Sequence, residues 1–251
     1  MSKAKKSKRG SSSVRAIKSL MKRKGYYIAE KPYELNSVGI RSDSTKPNSF
    51  DDLMLVWYKD KDGDTVEYHF PITTDPGTYW LENPMNPKGT ALLKQGQYKN
   101  AYQIGKHQGK YTALVQRKPV TVLRDYDRKN ELDFVNGTPD TGMHGINIHR
   151  ASSKGTTKVI NKYSAGCQVF ANADDFNKFL TLAQKHRDLH GNNFTYTLFD
   201  ARAQRRSQAR KIILGVAITM VVVAGAYIAL TKTGVIKPIN FKGNGGKRTK
   251  K

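Results

Sequence analysis

Residues 53–70 read LMLVWYKDKDGDTVEYHF, and this stretch decides the fold class of the chain. Two runs rich in branched and aromatic residues, 53–58 and 65–70, flank a turn made of Lys, Asp and Gly. Such runs favour strands, and such separators favour turns. Three further runs have the same character, at residues 110–117, 119–124 and 194–199. The sequence therefore predicts a mainly β domain.

One clear helix interrupts the strand pattern. Asn172 can cap its start, Gly191 can end it, and an apolar stripe lies between them, formed by Phe176, Phe179, Leu180 and Ala183. We therefore expect a β domain over residues 26–200 that contains one or two helices.

Charge divides the chain into three parts. Residues 1–25 hold ten Lys or Arg and residues 201–251 hold twelve, both without an acid, out of 44 basic and 20 acidic residues in all. The middle keeps 44 − 10 − 12 = 22 bases against all 20 acids, a balance of 22 − 20 = +2. The basic tails, rather than the domain, are therefore expected to contact nucleic acid or anionic lipid.

The first 25 residues are expected to form a disordered polar tail followed by a short basic amphipathic helix. Val14, Ile17, Leu20 and Met21 recur at helical spacing, with Ser13 placed to cap the helix and Gly25 to end it. Such a helix either docks on the domain or contacts a membrane. No apolar run follows the charged start, so a secretory leader is not expected.

The C-terminal part reads as a membrane anchor. Residues 212–231, IILGVAITMVVVAGAYIALT, form twenty positions without a charge between a basic linker, 201–211, and a basic tail, 232–251. A helix of that length spans about 30 Å, the thickness of a bilayer's hydrocarbon core. The pattern predicts a single-pass transmembrane helix, a lipid bilayer as partner and a membrane location, while the side on which the domain lies stays open.

The remaining titratable residues do not form a metal-binding pattern. The histidines lack metal-ligand spacing, and one cysteine is too few for a structural zinc. Asp51, Asp52, Asp60, Asp62 and Asp64 have no EF-hand spacing, so a turn is the better interpretation. We expect neither a metal nor another cofactor.

The only cysteine, Cys167, follows a run of small residues. A cysteine acts as a nucleophile only as the thiolate, and acyl transfer also needs N–H donors for the oxyanion. Ser164, Ala165 and Gly166 permit a tight turn that presents such donors, and His149 ends the alternating segment GINIH from which it could act as base. Without this setting, a lone cysteine is more often a small buried side chain.

These residues resemble the signature of the L,D-transpeptidase catalytic-domain family, in which a histidine precedes a Ser/Thr-His-Gly-Cys turn by about 14 to 17 residues. Fourteen residues, 150–163, separate His149 from Ser164, and Gly166 and Cys167 match, whereas Ala165 replaces the second histidine. The family usually has an arginine two places after the cysteine, where this chain has Val169.

The resemblance implies a fold and a set of roles. The fold would be a β-sandwich or barrel with one or two helices. Cys167 would be the nucleophile, His149 the base, and the backbone carbonyl of Arg150 would orient the imidazole. Backbone amides of Ala165, Gly166 and Cys167 would form the oxyanion hole.

Four further residues are candidates for binding substrate: Ser164 and Gln168 beside the cysteine, and two histidines. His144 has opposite parity to His149 on the same segment and should face the other side. His107, in a Gly-flanked loop, is either a pocket wall or a solvated turn residue.

The implied substrates are peptidoglycan stem peptides. Cys167 would form a thioester acyl-enzyme, which water would hydrolyse and an amine would convert into a cross-link. The residues do not separate the two outcomes.

Longer segments, among them PITTDPGTYWLENP and GINIHRA with SAGCQVF, resemble catalytic-domain proteins of phages that infect Bacteroidetes and of their hosts. This resemblance favours a virion-associated cell-wall enzyme in a virion membrane. The alternative is a non-catalytic structural virion membrane protein. Its basic tails would bind nucleic acid or lipid, with other virion proteins as partners.

Overall fold

The computed structural model describes residues 2–202 of the chain. Its elements follow in chain order: β1 Lys5–Ser7, α1 Ser12–Arg23, β2 Asn36–Arg41, β3 Asp52–Lys59, β4 Thr65–Thr73, α2 Thr78–Glu82, β5 Thr90–Leu93, β6 Gly96–His107, β7 Tyr111–Gln116, β8 Val120–Asp125, β9 Thr138–Gly142, β10 Ile148–Arg150, β11 Gln168–Phe170, α3 Ala173–His190 and β12 Phe194–Asp200. The prediction of a mainly β domain with few helices is confirmed for these residues.

The larger sheet closes on itself. Its nine strands run in the order β1-β4-β11-β10-β7-β6-β12-β2-β3, and a further pairing of β3 with β4 joins the ends of the series from β4 to β3. Eight strands of the described chain therefore form a closed ring, and β1 is added to β4. A second sheet has the order β5-β8-β9.

Strand β3 is buried on both faces, which explains its unbroken apolar run. One face of β3 contributes Met54, Val56 and Tyr58 to the main core, to which α3 also adds four apolar side chains. The other face contributes Leu53, Leu55 and Trp57 to a second core under α1. Side chains alternate across a strand, so a strand covered on both sides reads as continuously apolar.

Helix α3 begins and ends where the sequence places its boundaries. The side chain of Asn172 accepts a hydrogen bond from the backbone N–H of Asp175 at 3.0 Å, and Gly191 terminates the helix at φ 88°. Phe176, Phe179 and Ala183 are completely buried against the sheet. The helix immediately follows β11, so this packing fixes the C-terminal end of that strand.

Helix α1 docks on the domain, which is one of its two expected roles. Val14, Ile17, Leu20 and Met21 are all buried in the second core. The capping residue is Ser11 rather than Ser13, and its hydroxyl accepts from the backbone N–H of Val14 at 3.3 Å.

The polar segment before α1 is ordered, contrary to expectation. Residues 5–7 form β1, which pairs antiparallel with β4. The ammonium of Lys6 lies 2.7 Å from a carboxylate oxygen of Asp60 and 3.4 Å from one of Asp64. The polar segment is ordered because its backbone pairs with β4 without any apolar side chain, and because the acidic turn between β3 and β4 attracts the charge of Lys6.

The membrane part of the fold prediction requires correction. Among residues 2–202 no helix is long and apolar enough to cross a membrane. The segment 212–231 lies outside the described residues, as does the tail 232–251. The fold class is corrected to a mainly β domain with the three helices given above, and the described residues contradict the predicted single-pass membrane location in that none of their helices could provide the span.

Candidate active site

Cys167 lies at the end of a tight turn, immediately before β11. Gly166 adopts φ +115°, and a Cβ at this position would overlap the carbonyl oxygen of Ala91 in β5. Only glycine combines that backbone conformation with so close an approach of another strand. The turn is therefore set by the absence of a side chain at Gly166.

Ser164 locks this turn from the inside. Its side chain is fully buried, and its hydroxyl donates to the carbonyl oxygen of Cys167 at 2.9 Å while accepting from the N–H of Gly166 at 3.1 Å. The backbone carbonyl of Ser164 accepts from the N–H of Gly77 at 2.9 Å. Ser164 thus stabilises the turn through its buried hydroxyl, and its expected role in binding substrate stays a prediction.

The same contacts refine the expected oxyanion hole. The N–H of Gly166 already has the Ser164 hydroxyl as its acceptor. Within residues 2–202, the N–H groups of Ala165 and Cys167 make no hydrogen bond. These two amides are therefore the ones available to an oxyanion.

Gln168 packs against the turn. It is fully buried, its amide nitrogen donates to the carbonyl oxygen of Gly166 at 3.2 Å, and its amide oxygen accepts from the hydroxyl of Tyr196 at 2.8 Å. These two hydrogen bonds hold its side chain against the turn and Tyr196, and its expected contact with substrate stays a prediction.

Cys167 is half-buried, and its sulfur makes two backbone contacts. The thiol donates to the carbonyl oxygen of Gly145, and the N–H of Asn147 donates to the sulfur, each at 3.4 Å. Burial raises the pKa of the Cys167 thiol to about 11, and the Asn147 amide opposes this rise. The resting thiol is therefore protonated at neutral pH.

His149 lies on the strand next to Cys167. Strands β10 and β11 are parallel, with His149 opposite Val169. Cys167 lies two positions before Val169, directly before β11, so the cysteine and the histidine belong to neighbouring backbone segments. Within the described chain, the sulfur bonds to Gly145 and Asn147 and not to His149.

The imidazole of His149 is oriented by its own neighbour in sequence. Its Nδ1 lies 2.8 Å from the carbonyl oxygen of Arg150, the hydrogen bond expected from the family resemblance. The hydroxyl of Tyr111 lies 3.1 Å from both atoms, and the Arg150 guanidinium packs over the Tyr111 ring at 4.2 Å. A carbonyl only accepts, so the proton lies on Nδ1 and the lone pair on Nε2.

Both members of the pair are neutral at rest. Burial lowers the pKa of His149 to about 3, and the neighbouring His107 lowers it further, whereas the Arg150 carbonyl opposes the change. A neutral imidazole beside a neutral thiol can act as a general base, but it does not hold a preformed thiolate.

His107 is a wall of this site rather than a solvated turn residue. It is 8% exposed, and its ring stacks on that of His149 with centroids 4.1 Å apart and an angle of 22°. Its Nδ1 accepts from the side-chain amide of Asn147 at 3.0 Å. Burial and then Lys110 lower the pKa of His107, so the stacked rings are both neutral.

Sequence reasoning missed Asn147 and Tyr111. Asn147 touches both halves of the pair, since its backbone N–H contacts the sulfur and its side chain holds His107. A signal existed for Asn147, because it lies two positions before His149 on an alternating segment and so shares its face. Tyr111 arrives from a different strand and had no such signal.

His144 lines a neighbouring cleft, to which neither Cys167 nor His149 contributes a side chain. Its Nδ1 accepts from the guanidinium of Arg124 at 3.1 Å, and its Nε2 contacts the carbonyl oxygen of Asp140 at 3.1 Å. The cleft has a volume of about 240 Å³, and Ala165 lines it together with His144 and Arg124. Val169, at the position of the family's arginine, is fully buried.

In the described part of the chain, no group of three or more His, Cys, Asp or Glu side chains is arranged to hold a metal ion. Comparison of the chain with protein-family models, with curated proteins and with solved structures finds no match.

Proposed function

We propose that this protein is a cysteine acyltransferase of the L,D-transpeptidase type that cleaves or cross-links peptidoglycan stem peptides. One arrangement carries the proposal. A glycine turn presents the Cys167 thiol beside two unengaged amides, and a neutral imidazole with its lone pair on Nε2 lies on β10, the strand that pairs with β11 directly after the cysteine. A buried structural cysteine would need neither the turn nor the oriented base.

Each group has a defined part in acylation. As the sulfur of Cys167 attacks the peptide carbonyl carbon, the thiol proton passes to Nε2 of His149. The oxyanion receives hydrogen bonds from the N–H groups of Ala165 and Cys167. The C–N bond then breaks, the leaving amine takes the proton from His149, and a thioester remains.

Deacylation reverses these roles. Water or an amine attacks the thioester carbonyl while Nε2 of His149 removes its proton. The C–S bond breaks and the thiolate regains a proton from the imidazolium. Water makes the protein a peptidase and an amine makes it a transpeptidase.

The pair operates by general-base catalysis, because neither group is charged at rest. A substrate that binds next to the sulfur places its carbonyl carbon within reach of the thiol and displaces water. The thiol proton is transferred to His149 as the sulfur attacks that carbon. General-base assistance of this kind contributes about 10²- to 10⁴-fold to a rate.

The test is direct detection of the acyl-enzyme. Full-length protein is incubated with tetrapeptide fragments of peptidoglycan and examined by intact mass, in parallel with Cys167→Ala and His149→Gln. We expect an adduct on the wild type, none on Cys167→Ala, and acylation slowed about 10²- to 10⁴-fold in His149→Gln. His190→Gln, at the end of α3, is the matched control and keeps the wild-type rate, since this half-buried histidine contacts the Pro32 carbonyl and His186 rather than the site.

The alternative is a non-catalytic structural protein of a virion whose basic segments bind nucleic acid. The high pKa of the Cys167 thiol and its backbone contacts in place of a bond to His149 favour this alternative. If no adduct forms and a carbapenem β-lactam also leaves Cys167 unmodified, the structural alternative replaces the enzyme.

A further inference from the structure

The cleft that contains His144 adjoins the nucleophile on two sides. Ala165, two residues before Cys167, lines it, and so do Met143 and His144, which directly precede the Gly145 carbonyl that contacts the thiol. One wall of the cleft is therefore formed by the turn that carries Cys167, although the cysteine itself does not line it. The opposite wall comes from α2, from the loop after it and from the start of β5.

A buried cation forms one end of the cleft. Arg124 is 7% exposed, and its Nε and Nη2 each lie 2.8 Å from the same carboxylate oxygen of Asp140. Nη2 also donates to His144, and Nη1 donates to the carbonyl oxygen of Gly89 at 3.3 Å. A guanidinium has five N–H groups, so one on Nη1 has no acceptor within residues 2–202.

The charge at this end is positive. Arg124 lowers the pKa of Asp140 most strongly, and His144 and Lys88 lower it further, so Asp140 is ionised. The exposed Lys88, which does not itself line the cleft, thus adds positive charge near the Arg124–Asp140 pair. The fixed guanidinium needs no reorganisation to accept an anion, which favours tight binding of a carboxylate.

Part of the cleft wall is apolar and exposed. Met85 is 72% exposed and Met143 is 58% exposed, and both line the cleft together with Trp80. Thioether side chains adapt to irregular apolar groups, and exposed ones commonly mark binding surfaces. The expected occupant combines small aliphatic groups with an anionic end, as a short peptide with a free carboxylate does.

We propose that this cleft is the acyl-donor subsite and that Arg124, assisted by Lys88, binds a carboxylate of the donor peptide. The proposal rests on the function proposed above and specifies which substrates are accepted. Donor peptides with free carboxylates bind, and their amidated counterparts bind less well. Arg124 and Lys88 are therefore specificity-determining residues and take no part in the acyl transfer itself.

The test compares two probes on one protein. Full-length Cys167→Ala protein, which leaves the peptide intact, is titrated with a stem tetrapeptide in free-acid form and with the same peptide fully amidated. Charge-assisted hydrogen bonds predict that the acid binds about tenfold or more tightly. The methyl resonances of Met85 and Met143 should shift on binding, while that of the fully buried Met54 serves as internal reference.

Variants assign this preference to its residues. Lys88→Gln changes an exposed position and should reduce the preference for the acid without affecting folding. Arg124→Gln alone leaves Asp140 unpaired, so it is combined with Asp140→Asn, and the double variant should abolish the preference. Lys24→Gln at the end of α1, which does not line the cleft, is the control and should retain it.

Three results would overturn the subsite: equal binding of acid and amide, no binding of either, or a preference that persists in the double variant. The two proposals fail separately. Wild-type protein acylated equally by both peptides refutes the subsite but not the enzyme. A carboxylate preference without any thioester refutes the enzyme but not the subsite.

Discussion

The protonation state of Cys167 can be measured without a substrate. With a thiol pKa of about 11, only about one molecule in ten thousand carries a thiolate at pH 7. An unperturbed cysteine of pKa about 8.5 has about 3% thiolate at that pH. Iodoacetamide should therefore alkylate Cys167 on the order of 300-fold more slowly than a free thiol at pH 7.

The pH profile carries the sharper prediction. Because the pKa is raised, the thiolate fraction at any pH below it is reduced, and it grows about tenfold per pH unit until the pH approaches 11. An imidazolium–thiolate pair would instead give a rate that is flat through neutral pH. The assay follows the alkylated fraction by intact mass between pH 6 and pH 10, normalised to N-acetylcysteine. Cys167 is the only cysteine, so each adduct reports on this site.

The variant His149→Gln distinguishes the effect of His149 on the resting thiol from its effect on acylation. His149 has a pKa of about 3 and is neutral across this range, so His149→Gln should leave the alkylation profile within about threefold of wild type. The same substitution should slow acylation strongly. A rate plateau between pH 6 and pH 8 in the wild type that is lost in His149→Gln would refute the neutral-pair reasoning.

Three stability predictions follow from the packing, each measured by urea unfolding. Ser164→Ala leaves the N–H of Gly166 without its partner and should cost about 1–3 kcal/mol; a change below 0.5 kcal/mol would mean that the hydroxyl does not lock the turn. Gly166→Ala introduces a side chain at φ +115° against the carbonyl oxygen of Ala91, so it should lower the free energy of unfolding by about 1–3 kcal/mol and slow acylation of the thiol. Unchanged stability and an unchanged acylation rate would contradict the assigned turn. Ile17 of α1 is fully buried, so Ile17→Ala should lower the free energy of unfolding by about 2–5 kcal/mol. Lys22 on the same helix is exposed, so Lys22→Ala should change it by no more than about 0.5 kcal/mol. Equal effects of the two substitutions would argue against docking of the helix.

The sequence by itself determined those features that neighbouring residues control. The run at 53–58 marked a strand, Asn172 and Gly191 bounded α3, and the apolar stripe of α1 marked its buried face. The spacing of His149 and Cys167 identified the candidate pair. Each of these signals depends on short-range periodicity or on a cap, which the chain carries locally.

The tertiary structure alone decided which side chains surround the pair. Tyr111 and His107 come from one hairpin and Arg124 from the second sheet, so their positions depend on strand order rather than on spacing. Ser164 and Gln168 stand beside the cysteine in sequence, yet alternation and the turn direct them inward. Pairing between distant strands is set by the whole core, and no local pattern encodes it.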